Sequence, residues 1–281
     1  MTAAPVAAPT EVRTHPIGLV PAVLVCGAAV LLFGFLLPLA GYAMLLAGLV
    51  AAWLTDRSGR TSRLLPDLFL IALGQAIIST ISLEADISYP AMLRFAVVLG
   101  AAVAVPYAIS RFWYGDRVIR FPWRTGRRWT RTQWIYLVAV TVTGWLVLPF
   151  YFITSGVYQN WPTVTEPDEI ARLFVGVNAV GTWDELFFIC TVFALLRRHF
   201  PTWQANLLQT VVFVSFLWEL GYQSWGPLLT IPFALIQGYT FKLTKSLTYV
   251  LVVHLIFDAV VFCVIVYAHN GWPANFPLVP A

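Results

Sequence analysis

The sequence predicts an all-α integral membrane protein, a polytopic bundle of about eight to nine transmembrane helices, on three observations. Of its 281 residues, 59% are hydrophobic and only 11% charged, against about 25% charged in an ordinary soluble domain. Mean hydropathy is +0.78, which excludes a soluble globular fold for most of the chain. The apolar stretches reach roughly 20 residues without period-2 alternation, the length of a spanning helix and not the pattern of a barrel strand. Hydrocarbon offers the backbone no hydrogen bonds, so such segments must satisfy themselves as helices.

Residues 1–16 form an Ala/Pro/Thr-rich tail with a single basic residue, Arg13. That basic region is thin for a signal peptide, and the first helix is read as an uncleaved span. Spans follow near 17–36, 38–54, 66–83, 91–110, 134–153, 170–196, 205–222, 228–241 and 248–268. The first two are separated only by Pro38 and Gly41 and fit either one kinked hairpin or two short helices. The 228–241 span is short, as a tilted or re-entrant segment would be. Residues 269–281 form a short Pro-containing tail (Pro273, Pro277, Pro280).

Charge tests this parse. Arg57, Arg60 and Arg63 lie in loop 55–65, and seven arginines from Arg111 to Arg131 lie in or beside loop 111–132. Arg197 and Arg198 follow the sixth span, Lys242 and Lys245 the eighth. With nine spans all of these share one side with Arg13. Glu84, Asp86, Glu166, Asp168 and Glu169 fall on the other. The positive-inside rule then predicts a multi-pass protein of the cell (plasma) membrane, N-terminus cytoplasmic and C-terminus extracytoplasmic. The basic stretch interleaves Trp113, Trp123, Trp129 and Trp134 with its arginines. Beside a membrane that reads as an amphipathic surface segment for anionic lipid, with no nucleic acid as partner. Cys26, Cys190 and Cys263 are scattered through apolar runs and suggest neither a disulfide nor a zinc motif.

Ionisable side chains inside spans are costly and default to function. They concentrate at the C-terminal end: Asp184 and Glu185 in the sixth span, Glu219 in the seventh, His254 and Asp258 in the ninth. His254 and Asp258 are four residues apart and share a helix face. Asn178, Thr182 and Glu185 make a polar stripe by spacing, as do Ser215, Glu219 and Gln223. Three such spans satisfy one another by facing a common interior. From the cytoplasmic helix ends, His254, Asp258 and Glu185 lie about 10, 16 and 18 Å deep, and Glu219 about 20–25 Å, a poorer fit. The cluster suits general acid–base activation of water, divalent metal ligation, proton relay in a transporter, or a purely structural polar network.

The segment from Trp183 to Phe262 resembles the CPBP family of intramembrane proteases, which includes CAAX prenyl endopeptidases and Abi immunity proteins. That family's motifs are EExxxR, FxxxH and HxxxN or HxxxD on successive core helices. Here Asp184-Glu185-Leu-Phe-Phe-Ile189 occupies the first and His254-Leu-Ile-Phe-Asp258 matches the third. Gly238 to Leu247 resembles the family's Gly-rich entry to the last motif. Ile189 stands where the motif has arginine, and Glu219 where it has the first histidine. The resemblance implies a CPBP-like helical core at 169–268, preceded by N-terminal transmembrane helices over 17–168. It implies Glu185 as the base that activates water, His254 as its partner, Asp258 as the oxyanion-side or ligand group, and Asp184 beside them. The function expected is an intramembrane peptidase, an endopeptidase acting on a peptide or membrane-protein substrate. The extra carboxyl of Glu219 leaves a possible metalloprotease open, with a divalent metal such as Zn held by Glu185, Glu219, His254 and Asp258. The alternatives are a catalytically inactive relative with an immunity, chaperone or scaffold role, and a proton-coupled transporter.

Overall fold

Every regular element described is helical in the computed structural model, which describes residues 16–123, 126, 128–272 and 276–279. Most of the N-terminal tail with Arg13, Arg124 and Arg127 of the basic loop, and Pro273 and Pro280 of the last tail lie outside the described residues. Among those described, the principal helices are α1 (Pro16–Gly34), α2 (Pro38–Arg57), α3 (Leu64–Ile78), α4 (Tyr89–Trp113) and α5 (Arg131–Thr154). They continue as α6 (Pro167–Leu196), α7 (Thr202–Leu220), α8 (Pro227–Thr244) and α9 (Leu247–Asn270). A short 3₁₀ turn, Val157–Asn160, lies between α5 and α6.

Local chemistry sets the starts. Proline occupies the first turn of α2, α4, α6 and α8, where its missing N–H is no loss. Reciprocal caps open α5 (Thr130 with Gln133) and α6 (Glu166 with Glu169). The chain between α1 and α2 turns at Leu36, which has φ +54°, so these are two helices packed against each other. Close packing is possible because a Cβ on Gly48 would lie 2.7 Å from Val25 Cγ2. α3 is shorter than expected. The Ser79 and Thr80 hydroxyls donate back to the carbonyls of Ala76 and Ile77, ending the helix early.

Six of these helices (α1, α2, α4, α5, α6 and α9) are long and apolar enough to cross a membrane. The multi-pass architecture follows. α3 is too short for that criterion, whereas α7 and α8 carry polar side chains of the interior. Asn206, Gln209 and Thr210 are buried on α7, and Thr230, Gln237 and Thr240 on α8.

Contacts between connecting segments sort them into two ends. At one end, Arg63 Nη2 and Arg198 Nη1 bond Asp116 Oδ2 at 3.2 and 2.5 Å. His199 Nε2 lies 2.6 Å from the buried Asp67, and Leu247 N donates to the Pro122 carbonyl. At the other end, Glu219 accepts from Leu83 N–H, Tyr89 donates to Asp168, Asn160 to the Gly221 carbonyl and Asn270 to that of Val164. The helices therefore alternate in direction, and the basic loops share one end.

Burial pushes the Asp116 carboxyl up, but the Arg198 hydrogen bond and charge, Arg117 N–H and Arg63 outweigh it and hold it below its ordinary value. The sign follows: this stabilisation is complete above the unfolded carboxyl value and is lost as pH falls through the lower folded one. Acid thermal melts should therefore fall more steeply for the wild type than for Asp116→Asn. Asp67→Ala, which leaves buried His199 without its partner while Arg198 keeps Asp116, should cost about 3 kcal/mol of stability in a denaturation titration.

Candidate active site

The site begins with a change of helical register. α6 runs as an α-helix to Asp184 and then as a π-helix over Glu185–Phe193, a form frequent at functional sites although α1 and α4 also end in one. Within it Thr191 Oγ1 donates to the Leu186 carbonyl, five residues back. Glu185 opens this segment, whereas Asn178 and Thr182 lie in the α-helical part before it. Asn178 and Thr182 donate to carbonyls of their own helix, at Phe174 and Asn178. Glu185 is instead buried beside Asp184, at 2% and 3% exposure.

Opposite stands α9. His254 Nδ1 lies 2.8 Å from Glu185 Oε1. His254 Nε2 lies 3.6 Å from Asp184 Oδ2 and 3.8 Å from Asp258 Oδ1, too long for direct hydrogen bonds. Gly181 permits this convergence, because a Cβ there would fall 1.8 Å from Asp258 Oδ2 and 3.2 Å from His254 Cδ2. Sequence reasoning missed Gln237 on α8, whose Nε2 donates to Glu185 Oε1 at 2.8 Å and to the Val250 carbonyl at 3.0 Å. A buried glutamine at helical spacing from Ala234 was the available signal, overshadowed by the charged residues.

Asp184, Glu185, His254 and Asp258 thus meet. Glu219 does not join them. It is the penultimate residue of α7, about 25 Å from the helix start, and its Oε1 accepts from Leu83 N–H at 3.0 Å. Ser215 donates to the Val211 carbonyl of its own helix, and Gln223 lies beyond the helix end at Gly221, so that stripe also dissolves. Ile189 is buried and brings no cation. The four residues named as a metal set do not converge as ligands, since Glu219 is engaged elsewhere and His254 Nδ1 faces Glu185. Among the described residues, no group of three or more His, Cys, Asp or Glu side chains is arranged to hold a metal ion.

Asp184, His254 and Asp258 lie together on the wall of a mostly apolar cavity of about 840 Å³, lined from α4, α5, α6, α7, α8 and α9 and reaching Asp86. Leu99, Gly144, Val180, Phe233 and Phe257 are typical of its surface. α5 packs along α9 but forms no comparable packing with α4 or α8. At the end towards Asp86, the Ser88 backbone N–H and hydroxyl hold the Asp86 carboxyl below its ordinary value.

The cysteines remain free; Cys26 and Cys190 are buried and Cys263 is partly so.

Residues 166–260 match the family model described as type II CAAX prenyl endopeptidase Rce1-like. No match was found among curated proteins or among solved structures. The match spans well under half of the chain and takes in the helices that carry Asp184, Glu185, Gln237, His254 and Asp258. The match supports the resemblance of this C-terminal core to the CPBP family of CAAX-type intramembrane proteases.

Gly181→Ala should destabilise the protein by about 1–3 kcal/mol through overpacking, while Gly176→Ala, with open space around its Cβ, should hold or raise the thermal midpoint, since a mid-helix glycine costs about 0.5–1 kcal/mol relative to alanine.

Proposed function

We propose that the chain is an intramembrane endopeptidase in which His254 is the base and Glu185 positions it. The observation that carries this reading is the His254 Nδ1–Glu185 Oε1 contact of 2.8 Å behind an imidazole that lines the cavity. Glu185 does not line that cavity, and its Oε1 already accepts from Gln237. It therefore suits a group that holds the His254 tautomer with Nδ1–H towards the carboxylate, more than the base that the family resemblance implies.

Nε2 is left facing the cavity between Asp184 and Asp258. There it takes a proton from a water as that oxygen adds to the peptide carbonyl carbon. The imidazolium, stabilised by the flanking carboxyl groups, then returns the proton to the leaving nitrogen as the C–N bond breaks. Asp184 and Asp258 act on the charge of the imidazolium; Glu219, at the far end of α7, takes no part. The apolar cavity walls suit a segment delivered from the bilayer, and the gaps flanking α5 offer a lateral path. The end carrying Arg63, Arg198 and the Trp/Arg loop faces the cytoplasm by the positive-inside rule and rests on anionic lipid. His254 lies about 10 Å from that end of α9, which puts cleavage in the cytoplasmic half of the bilayer.

With a membrane-anchored peptide reporter in proteoliposomes, His254→Ala should lower kcat about 10²–10⁴-fold, with partial rescue by added imidazole. Glu185→Gln, which favours the wrong tautomer, should cost a comparable factor of about 10⁴. Unchanged cleavage by His254→Ala would refute the proposal, and residual activity without imidazole rescue would return the base to Glu185.

A further inference from the structure

Beside Glu185 lies a second, small pocket of about 10 Å³, the scale of a single water-sized occupant. Its polar wall is drawn from three helices: Asp184 and Glu185 of α6, Gln209 of α7 and Gln237 of α8. These side chains are 0–3% exposed. Each keeps one oxygen without a hydrogen-bond partner, namely Asp184 Oδ1, Glu185 Oε2, Gln209 Oε1 and Gln237 Oε1.

The amide orientations follow from the donors. Gln237 Nε2 is committed to Glu185 Oε1 and the Val250 carbonyl. Gln209 Nε2 lies within hydrogen-bond distance of three acceptors, Asn206 Oδ1, Thr210 Oγ1 and the Ala234 carbonyl, more than its two hydrogens can serve. Both amide oxygens are thereby left over. The rest of the lining, including Ile189 and Phe213, is apolar and supplies no donor. Four buried, unpartnered acceptors on residues that line one small space cost free energy unless something positive meets them.

We infer that these four oxygens form a site for one monovalent hard cation of the sodium class. A water has two hydrogens and satisfies two of the four acceptors. An all-oxygen set without thiolate or imidazole is poorly matched to transition metals. Calcium takes about six to eight oxygens, and magnesium keeps several of its own waters, for which a pocket of this size has no room. A bare monovalent ion meets all four oxygens and balances charge that no lysine or arginine reaches. Its role is to fix Asp184 and Glu185, and through Glu185 the imidazole of His254. The site does not depend on the chain being a peptidase, and its test reads binding and stability alone.

The experiment is a set of thermal melts of the purified full chain in NaCl or choline chloride at equal ionic strength, with ²³Na NMR linewidths alongside. The wild type should show a saturable, sodium-specific rise in Tm and sodium line broadening. Gln209→Leu, which removes one ligand oxygen, should weaken the apparent sodium affinity at least about tenfold. Ile189→Lys, which brings an ammonium into the pocket wall, should abolish the sodium dependence. If that variant does not fold, the wild type and Gln209→Leu still decide. Equal melts in sodium and choline would overturn the inference in favour of a water or a carboxyl proton. A response to calcium or magnesium alone would overturn the monovalent assignment, and a full sodium response in Gln209→Leu would place any site elsewhere.

Discussion

Carboxyl groups buried among helices must be met by hydrogen bonds or opposite charge, because nothing in hydrocarbon will meet them. The contact between Glu185 and His254 is where this constraint is first resolved, and much of the C-terminal architecture is arranged around it. It fixes α6 against α9 at a separation that only Gly181 allows. It draws in α8 through Gln237, and α8 in turn holds α7 through Gln209 and Asn206. Four helices are tied together by polar side chains at one level of the bundle.

The π-helical segment of α6 links this packing to chemistry. An α-helix through Glu185–Phe193 would keep residues three and four apart on one face. Asp184 closes the α-helical part and Glu185 opens the π segment, and as consecutive residues they point in different directions. Asp184 lines the large cavity as well as the small pocket, whereas Glu185 lines only the latter and meets His254 from behind. One element thus serves a substrate-facing surface and an interior polar network.

The N-terminal helices contribute scaffold and not side-chain chemistry. α1 packs on α2, α3 and α7, Gln75 of α3 donates to the Val25 carbonyl, and Trp183 of α6 donates to the Leu99 carbonyl of α4. α4 supplies one wall of the cavity, while Asp67, Asp116, Arg63, Arg198 and His199 lock loops from both halves at the basic end. The loose flank of α5 is then a local property of the cavity side.

Much of this was determined by sequence alone. Hydrophobic run length set the number and order of helices, and charge placement foretold which loops share an end. Both depend on composition summed over many residues, as does the concentration of ionisable groups in the last spans. Depth along straight helices already made Glu219 the poorest fit to the cluster. Tertiary structure decided the rest. The π register begins at Glu185, and hydroxyl back-bonds shortened α3. Gln237 and Gln209 entered the site although neutral amides carry no signal in a charge count. The division between cavity-facing His254 and buried Glu185 arises from how α6 and α9 approach at Gly181, a three-dimensional relation between segments some 70 residues apart that no local pattern encodes.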